Sequence, residues 1–409
     1  MAAPASTRLL AFGGLASATL LLPTQLACRG CASDTQIVQQ GPDDTGSGPT
    51  TPVDEPYTND WGQWLTMAVL QDGRPALAFY DRTDGALGFA IADTSTEPVT
   101  WIREEADGYT VNGADSGDRG KYASMAVAQD GTVWVANQDV NLELLRWARR
   151  DPTTGVWESG LADAGAEPSG NAGFFSSLAI DATSSPVIAH HDEAEGALRV
   201  SRWNGSAFTN TVVDAGEATT DVNGEEVPAD VGEFASLLIQ DGVEYLAYYD
   251  RAHGNLKLAW GTAGNYSFEV VDDGGGSRHV EGGGDVGQWP DMLVADGQLW
   301  IAYHDVGNQD LRLVHGTPGN WTMEIVDSGE FVGADTAIFM NGTQPAIAYF
   351  DGRNNDMKLA TKVGESWQAE TVTGADGALG FHNEVVQTGG SSYMACYDYT
   401  SRTVWFDKL

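Results

Sequence analysis

The residues best suited to acid–base chemistry are a histidine pair, a tyrosine pair and an arginine, namely His190–His191, Tyr248–Tyr249 and Arg251. An imidazole can abstract a proton, a phenol can deliver one, and a guanidinium can bind a carboxylate. Neighbouring residues on a strand point to opposite faces, so at most one histidine of the pair can face a given ligand. The sequence contains no P-loop, EF-hand or Gly-x-Ser-x-Gly motif, so no motif supports these five candidates for catalysis.

A wider set of candidate ligand-binding residues combines ring-bearing side chains with polar ones. Aromatic faces pack on the apolar faces of sugar rings, while carboxylates and amides bond to hydroxyl groups. The candidates are Trp64, Tyr122, Asn137, His190, His191, Tyr249, His253, Asp285, Trp289 and His304. Asp230 and Asp285 are also the candidate metal ligands, because carboxylates suit Ca²⁺, the one cofactor that the sequence suggests.

These residues are positioned by a unit that occurs seven times, beginning at a glycine and ending at an aspartate. The glycine precedes the aspartate by 18 or 19 residues, as in Gly232 to Asp250 and Gly62 to Asp81. The glycines are Gly62, Gly120, Gly173, Gly232, Gly287, Gly333 and Gly380, and the aspartates are Asp81, Asp139, Asp192, Asp250, Asp305, Asp351 and Asp398. Seven copies of one supersecondary unit indicate a repeat fold. An aspartate present in every copy is expected to cap the loop that follows it.

Each unit predicts four strands. Apolar residues alternate at period two on either side of a turn, which is Asp-Gly or Asn-Gly in five units and departs from this at Asp181-Ala182 and Thr388-Gly389-Gly390. A third strand follows the aspartate after a short loop, and a fourth often opens on tryptophan. The fold class is therefore all-β, a seven-bladed β-propeller of four-stranded antiparallel blades. The last unit has room for three strands, so we expect an N-terminal strand to close the ring, from Ile37–Val38 or from residues 51–57.

The beginning of the chain is typical of an exported protein. Residues 1–33 combine Arg8 with the apolar run that follows it and contain Cys28, so they predict a signal peptide with a possible lipidation site at Cys28. Residues 34–59 are rich in Pro, Gly and Asp and predict a flexible tether. Residues 60–409 then form the propeller. We expect a monomer outside the cytoplasm, either an outer-envelope lipoprotein or a secreted protein, with membrane contact only through the lipid.

The charge of the chain restricts its partners. The 409 residues carry 58 acidic and 21 basic side chains, a formal net charge of -37. A field of this sign repels nucleic acid and anionic lipid surfaces. We therefore expect a glycan or protein ligand and no nucleic acid.

Two stretches, residues 236–250 and 291–305, run from an apolar strand through an Asp-Gly turn to Ala-Tyr-x-Asp. This pattern resembles the repeats of secreted bacterial seven-bladed propellers, many of them lipoproteins, which are related to sialidase-type repeat proteins. The resemblance covers residues 61–409 and implies the architecture. The Asp-box of sialidases, Ser-x-Asp-x-Gly-x-x-Trp, is absent from the sequence, so the resemblance does not imply sialidase activity.

Three functions remain open from the sequence. The first is a binding module that recognises a glycan or protein partner at the central mouth of the propeller, where loops of unequal length build up the sector of blades two to five. The second is an enzyme that degrades polysaccharide at the same face, a lyase or another glycoside-active enzyme, and some lyases of this fold pair a histidine base with a tyrosine acid. Here His190 or His191 would be the base, Tyr248 or Tyr249 the acid, and Arg251 the clamp for a sugar carboxylate. The third is a scaffold without catalytic activity.

Overall fold

The described strands of the protein form seven antiparallel blade sheets and one small two-stranded hairpin. A computed structural model describes residues 60–108, 117–166, 170–276, 278–279, 283–373 and 377–409. Six sheets contain four strands in chain order and the seventh contains three described strands. The prediction of a seven-bladed β-propeller is confirmed. The predicted signal peptide, Cys28, the tether and both candidate closing strands lie outside the described residues.

Blades one to three comprise β1 (Trp61–Val69), β2 (Pro75–Asp81), β3 (Ala86–Asp93), β4 (Thr100–Asp107), β5 (Arg119–Val127), β6 (Val133–Asp139), β7 (Leu144–Arg150), β8 (Trp157–Asp163), β9 (Ala172–Ile180), β10 (Pro186–Asp192), β11 (Ala197–Trp203) and β12 (Phe208–Asp214). A small hairpin follows, β13 (Thr219–Thr220) and β14 (Glu226–Val227). Blades four to seven comprise β15 (Val231–Gln240), β16 (Val243–Asp250), β17 (Asn255–Thr262), β18 (Asn265–Asp272), β19 (Val286–Ala295), β20 (Gln298–Asp305), β21 (Asp310–Thr317), β22 (Asn320–Asp327), β23 (Val332–Asn341), β24 (Gln344–Asp351), β25 (Asp356–Val363), β26 (Ser366–Thr371), β27 (Phe381–Thr388), β28 (Ser391–Asp398) and β29 (Thr403–Lys408).

The first strand of each blade contacts the first strand of the next, and β27 contacts β1. The seven inner strands therefore surround a common axis. Blades one and seven are also joined by hydrogen bonds, from Trp61 N–H to Arg402 C=O at 3.1 Å and from the Tyr397 hydroxyl to Asp60 at 2.7 Å. In the part of the chain that the structure describes, there is no helix long and apolar enough to cross a membrane.

Each inner strand is bulged at the same place. The repeat glycine has φ between 92° and 110°, and the residue two positions later has φ between 48° and 55°. The pairing register with the second strand shifts at this point, as it does beside Gln63 and Thr66 in blade one. A side chain at the glycine would collide with the neighbouring blade, since a Cβ on Gly287 would lie 2.6 Å from the Cα of Leu256. The glycine therefore permits the close approach of adjacent blades.

The repeat aspartates have the structural role expected of them. In all seven blades the carboxylate accepts a backbone N–H from the loop that follows. In blade one, for example, Asp81 accepts the N–H of Thr83 at 3.0 Å. The loop then leads directly into the third strand.

A second set of aspartates, at the ends of the fourth strands, joins neighbouring blades. Asp214 at the end of blade three accepts the Tyr248 hydroxyl at 2.6 Å and the Lys257 ammonium at 2.5 Å, both from blade four. We call such a group of an aspartate, a second-strand residue and a third-strand cation a latch. The corresponding groups are Asp163 with His190 and Arg199, Asp272 with Tyr303 and Arg312, and Asp327 with Tyr349 and Lys358.

The latches at Asp163, Asp214 and Asp327 lower the pKa of their carboxyl groups and hold them in the charged form. Burial alone would raise the pKa of Asp163, but the hydrogen bond from His190 and the charges of His190 and Arg199 lower it to about 2. The junction between blades one and two differs. There Asp107 bonds to Arg146 and to Arg119, a guanidinium that is 2% exposed. Inter-blade contacts are therefore ionic as well as apolar.

Removing the acid of one latch should cost more than removing one of its donors. Asp214→Ala leaves the Tyr248 hydroxyl and the Lys257 ammonium without their shared acceptor, so we expect the free energy of unfolding to fall by about 2–3 kcal/mol. Tyr248→Phe should cost about 1 kcal/mol, since it removes one neutral donor, and blade one already has Phe79 at this position. Urea unfolding of the two variants measures the difference. Equal losses would contradict the latch.

Candidate functional site

The mouth of the propeller is the end of the axis at which the inner strands begin and the second strands finish. Going inwards from the mouth, each blade contributes the residue two positions before its glycine, which is an acid or amide in blades one to five, then the residue after the glycine, then the positive-φ residue. The next two residues reach deeper into the axis.

The outermost level is a set of paired side chains that we call the rim. In blades one, three, four and seven, the residue preceding the repeat aspartate faces the acid that stands two positions before the glycine of the next blade. Tyr397 bonds to Asp60 at 2.7 Å and Tyr249 bonds to Asp285 at 2.6 Å. His191 takes the same place in blade three, with its Nε2 3.0 Å from Asp230. The position of His191 therefore corresponds to that of a tyrosine in other blades.

His191 belongs to a compact charged cluster. Ligand atoms of His191, Asp230 and Glu233 all lie within 4.8 Å of one another. The guanidinium of Arg251 reaches the same place, 3.1 Å from Glu233 and 3.5 Å from Asp230. Burial raises the pKa of Glu233, while the charges of His191 and Arg251 oppose that rise. Arg251 already supplies the positive charge that a metal ion would bring to these acids.

The neighbouring cluster contains Tyr249, Asp285 and Arg278. Arg278 lies 2.5 Å from the Tyr249 hydroxyl and 3.2 Å from Asp285. Burial, followed by the charge of Asp285, raises the pKa of Tyr249 well above its usual range, so the phenol stays protonated. The candidate metal ligands Asp230 and Asp285 are thus found in two clusters, and each lies within salt-bridge distance of an arginine.

The remaining sequence candidates lie away from the mouth surface or bond to nearby groups. His190 is fully buried in a latch, with Nε2 3.2 Å from Ser201 and 3.3 Å from Asp163, and Tyr248 is in the next latch. Asn137 is buried and accepts the N–H of Gly120 at 3.1 Å. His253 lies 3.1 Å from Asp250, the cap of its own loop. Of the five catalytic candidates, the structure brings His191, Tyr249 and Arg251 to the rim.

The second level is a continuous arc of aromatic rings, which we call the collar. Its members are the positive-φ residues Trp64, Tyr122, Phe175, Phe234, Trp289 and His382. Successive ring centroids are 4.1, 5.0, 4.3 and 4.6 Å apart from Trp64 to Trp289, and His382 lies 4.7 Å from Trp64. Blade six contributes Asp335 at the equivalent position. The collar is thus interrupted there by a carboxylate.

His304 lies beside this interruption. Its ring is 5.7 Å from Trp289, and both of its nitrogens are buried without a hydrogen-bond partner. The acid that its counterparts bond to is replaced in blade six by Phe331, whose side chain is exposed. Burial lowers the pKa of His304 to about 4. The ring is therefore neutral at pH 7 and packs as an aromatic group.

The third level is a polar cavity on the axis beneath the collar, with a volume of about 190 Å³. The residues that line it are Thr66, Ala123, Ser124, Ser176, Ser177, Ala235, Ser236, Pro290, Asp291, Thr336, Ala337, Asn383 and Glu384. Burial raises the pKa of Asp291 to about 6, and burial with the nearby charge of Asp291 raises that of Glu384 to about 8. The sequence analysis did not identify these two acids as candidates, although they occupy the position at which blades two to four have serine.

The pKa of His304 makes the fold sensitive to acid. The folded value of about 4 lies below the ordinary value of 6.5, so protonation favours the unfolded chain. The free energy of unfolding should therefore fall as the pH drops from about 6.5 towards about 4. His304→Phe, which copies Phe350 of blade six, should make this fall shallower and leave the protein at least as stable at pH 8. Thermal unfolding across this range tests the prediction, and an unchanged pH profile would refute it.

Comparisons with known proteins identify the architecture. No protein-family model matches the chain, and no curated protein matches it in sequence. Among solved structures, it is similar to a Bacteroides uniformis protein provisionally assigned as a 6-phosphogluconolactonase. The two share 13% identity with a TM-score of 0.51, over 83% of this chain and 96% of that one. Identity at this level shows a shared propeller fold and nothing more specific.

Two other solved structures are similar at lower TM-scores. One is the polysaccharide lyase Uly1, with 10% identity and a TM-score of 0.47, covering 92% of this chain and 95% of that one. The other is the Hadza microbial sialidase Hz136, with 12% identity and a TM-score of 0.45, covering 76% of this chain. The alignment spans 65% of the sialidase.

Proposed function

We propose that this protein is a non-catalytic binding module, displayed outside the cytoplasm, that recognises a neutral glycan at its mouth. The collar is the observation that carries this proposal. The collar lies at the inner end of the mouth, and three of its side chains, Trp64, Phe175 and Trp289, are partly exposed to solvent. Sugar rings present apolar C–H faces that pack on such surfaces.

The level above the collar supplies groups that suit sugar hydroxyls. Gln63 and Gln288 follow the glycines of blades one and five, and Glu233 follows that of blade four. Gln63 lies within 3.4 Å of Asp60 and Tyr397, which orients its amide. Amides and carboxylates in fixed positions can accept and donate the hydrogen bonds that a sugar offers.

Catalysis by the acid–base candidates is disfavoured by their surroundings. His191 is 2% exposed and hydrogen-bonded to Asp230, and Tyr249 is fully buried between Asp285 and Arg278. A general base must come within hydrogen-bond reach of the proton that it removes. With these side chains so enclosed, binding without turnover is the function that the geometry supports best.

The net charge of -37 favours a neutral ligand over an acidic one. Carboxylates also occur on the rim, at Asp60, Asp118, Asp230 and Asp285. A uronate or sialate would approach against this field, which costs association rate and affinity. The predicted signal peptide and Cys28 support display outside the cytoplasm, where such glycans occur.

Replacing collar rings should abolish binding without disturbing the fold. The purified protein is first tested on an array of neutral and acidic glycans, and the tightest neutral hit is titrated by calorimetry. Asparagine tolerates positive φ better than other non-glycine residues, so Trp64→Asn and Trp289→Asn preserve the backbone while removing the ring. We expect each to weaken binding by about 10-fold or more.

Phe268→Asn is the matched control, because Phe268 is an exposed aromatic residue on β18 away from the mouth. It should bind as the unmodified protein does. Unchanged affinity in both tryptophan variants would contradict a site at the collar. Array signals confined to acidic glycans, or binding only to a protein partner, would contradict the ligand class.

A test of turnover separates this proposal from the lyase alternative. Each glycan that binds is incubated with the protein and followed by ultraviolet absorbance for an unsaturated product. We expect none to form. If product does appear, His191→Tyr should be assayed next, since it keeps a donor to Asp230, as Tyr249 does to Asp285, and removes the imidazole. Loss of product in that variant would make His191 the base.

A further inference from the structure

The cavity beneath the collar contains two carboxyl groups that the proposed glycan site does not use. Asp291 comes from blade five and Glu384 from blade seven, and Ala337 of blade six separates them. The other described residues that line the cavity are neutral, and none of them is a lysine, arginine or histidine. Two acids thus share one cavity without a positive charge in its lining.

The inter-blade bonds do not require these acids. Asp291 accepts the N–H of Ile338 in the next blade at 2.8 Å. Ser124 and Ser177 make the same bond to Leu178 and Leu237, each at 2.9 Å. A serine hydroxyl is therefore sufficient for the structural role, and the carboxyl groups at blades five and seven are additional to it.

A third group in the cavity lacks a partner. Asn383 is 6% exposed, and its amide nitrogen donates to the carbonyl of Asp335 at 2.9 Å. This bond fixes the orientation of the amide, and the opposite atom, Oδ1, is buried without a hydrogen-bond partner. An orphaned buried acceptor has an energetic cost that a ligand can relieve. Because Asn383 lines the same cavity as the two acids, its oxygen adds a neutral donor atom to theirs.

We propose that this axial cavity binds one divalent cation of the hard, oxygen-preferring type, with Ca²⁺ as the ion, through Asp291, Glu384 and Asn383. Ca²⁺ takes six to eight oxygen ligands from carboxylates, amides, hydroxyls and water in flexible geometry. The hydroxyl groups of Thr66, Ser124, Ser177 and Ser236 line the remaining wall. Two carboxylates balance the charge of the ion, and the cavity has room for water beside it. This site differs from the rim, where Arg251 already neutralises Asp230 and Glu233.

The test compares the purified protein after treatment with EGTA and after addition of CaCl₂. Calorimetric titration should give one bound ion per chain, and saturating Ca²⁺ should raise the melting temperature by at least about 2 °C. Asp291→Ser and Glu384→Ser copy blades two to four and keep the inter-blade bond. Each should lose the Ca²⁺-dependent rise while melting at or above the temperature of the calcium-free parent, because a carboxyl group whose ionisation burial opposes has been removed.

Glu384→Gln is the second variant, in case a serine there does not fold, and it should weaken Ca²⁺ binding by about 10-fold or more. Asp230→Asn tests the rim and should leave the Ca²⁺-dependent rise intact. No bound ion in the unmodified protein would overturn the proposal. Loss of Ca²⁺ binding in Asp230→Asn, with retention in both serine variants, would place the ion at the rim and also overturn it.

Discussion

The bulge in the inner strands is the constraint on which the rest of the structure depends. A left-handed residue two positions after each glycine releases backbone groups from the blade's own sheet, and the neighbouring blade bonds to them. Side chains of Ser176, Thr336 and Asn383 donate to the carbonyls of the positive-φ residues in the preceding blades, at 2.5, 2.6 and 2.9 Å. The same backbone turn aims a ring from six blades at the axis. The left-handed backbone at this position therefore both allows neighbouring blades to bond to each other and forms the collar.

Departures from the repeat concentrate in blades five to seven. Asp335 interrupts the collar, Phe331 leaves His304 without a partner, and Asp291 and Glu384 replace hydroxyl groups with acids. Each departure removes a contact that the other blades make or adds a charge that they lack. Sites with such local costs are where function is expected, because the fold alone would favour the regular residue.

The sequence was sufficient to predict the architecture, because the spacing of Gly62 to Asp81 and its six copies reflects backbone geometry that every blade needs. It also predicted correctly that the repeat aspartates cap loops. It could not separate the roles of His190 and His191. Their opposite orientations were predictable, but the partners Asp163 and Asp230 lie 27 and 39 residues away and become neighbours only in the ring. The sequence analysis did not predict a role for the two acids of the axial cavity. In the sequence, a change from serine to an acid in one repeat looks like the variation of a surface residue, and only the arrangement of the inner strands around one axis shows that the two acids share a cavity.

Closure of the ring has a consequence for how the protein folds. The hydrogen bond between Tyr397 and Asp60 joins residues 337 positions apart, whereas the strands of each blade are neighbours in sequence. Individual blades can form from local contacts as soon as their segment is available, but the contact between first and last blades requires almost the whole chain. The chain-entropy cost of that long loop falls on a single late step. Until then, two unpaired blade faces stay open to solvent, so the slow and aggregation-sensitive stage of folding is the joining of blade seven to blade one.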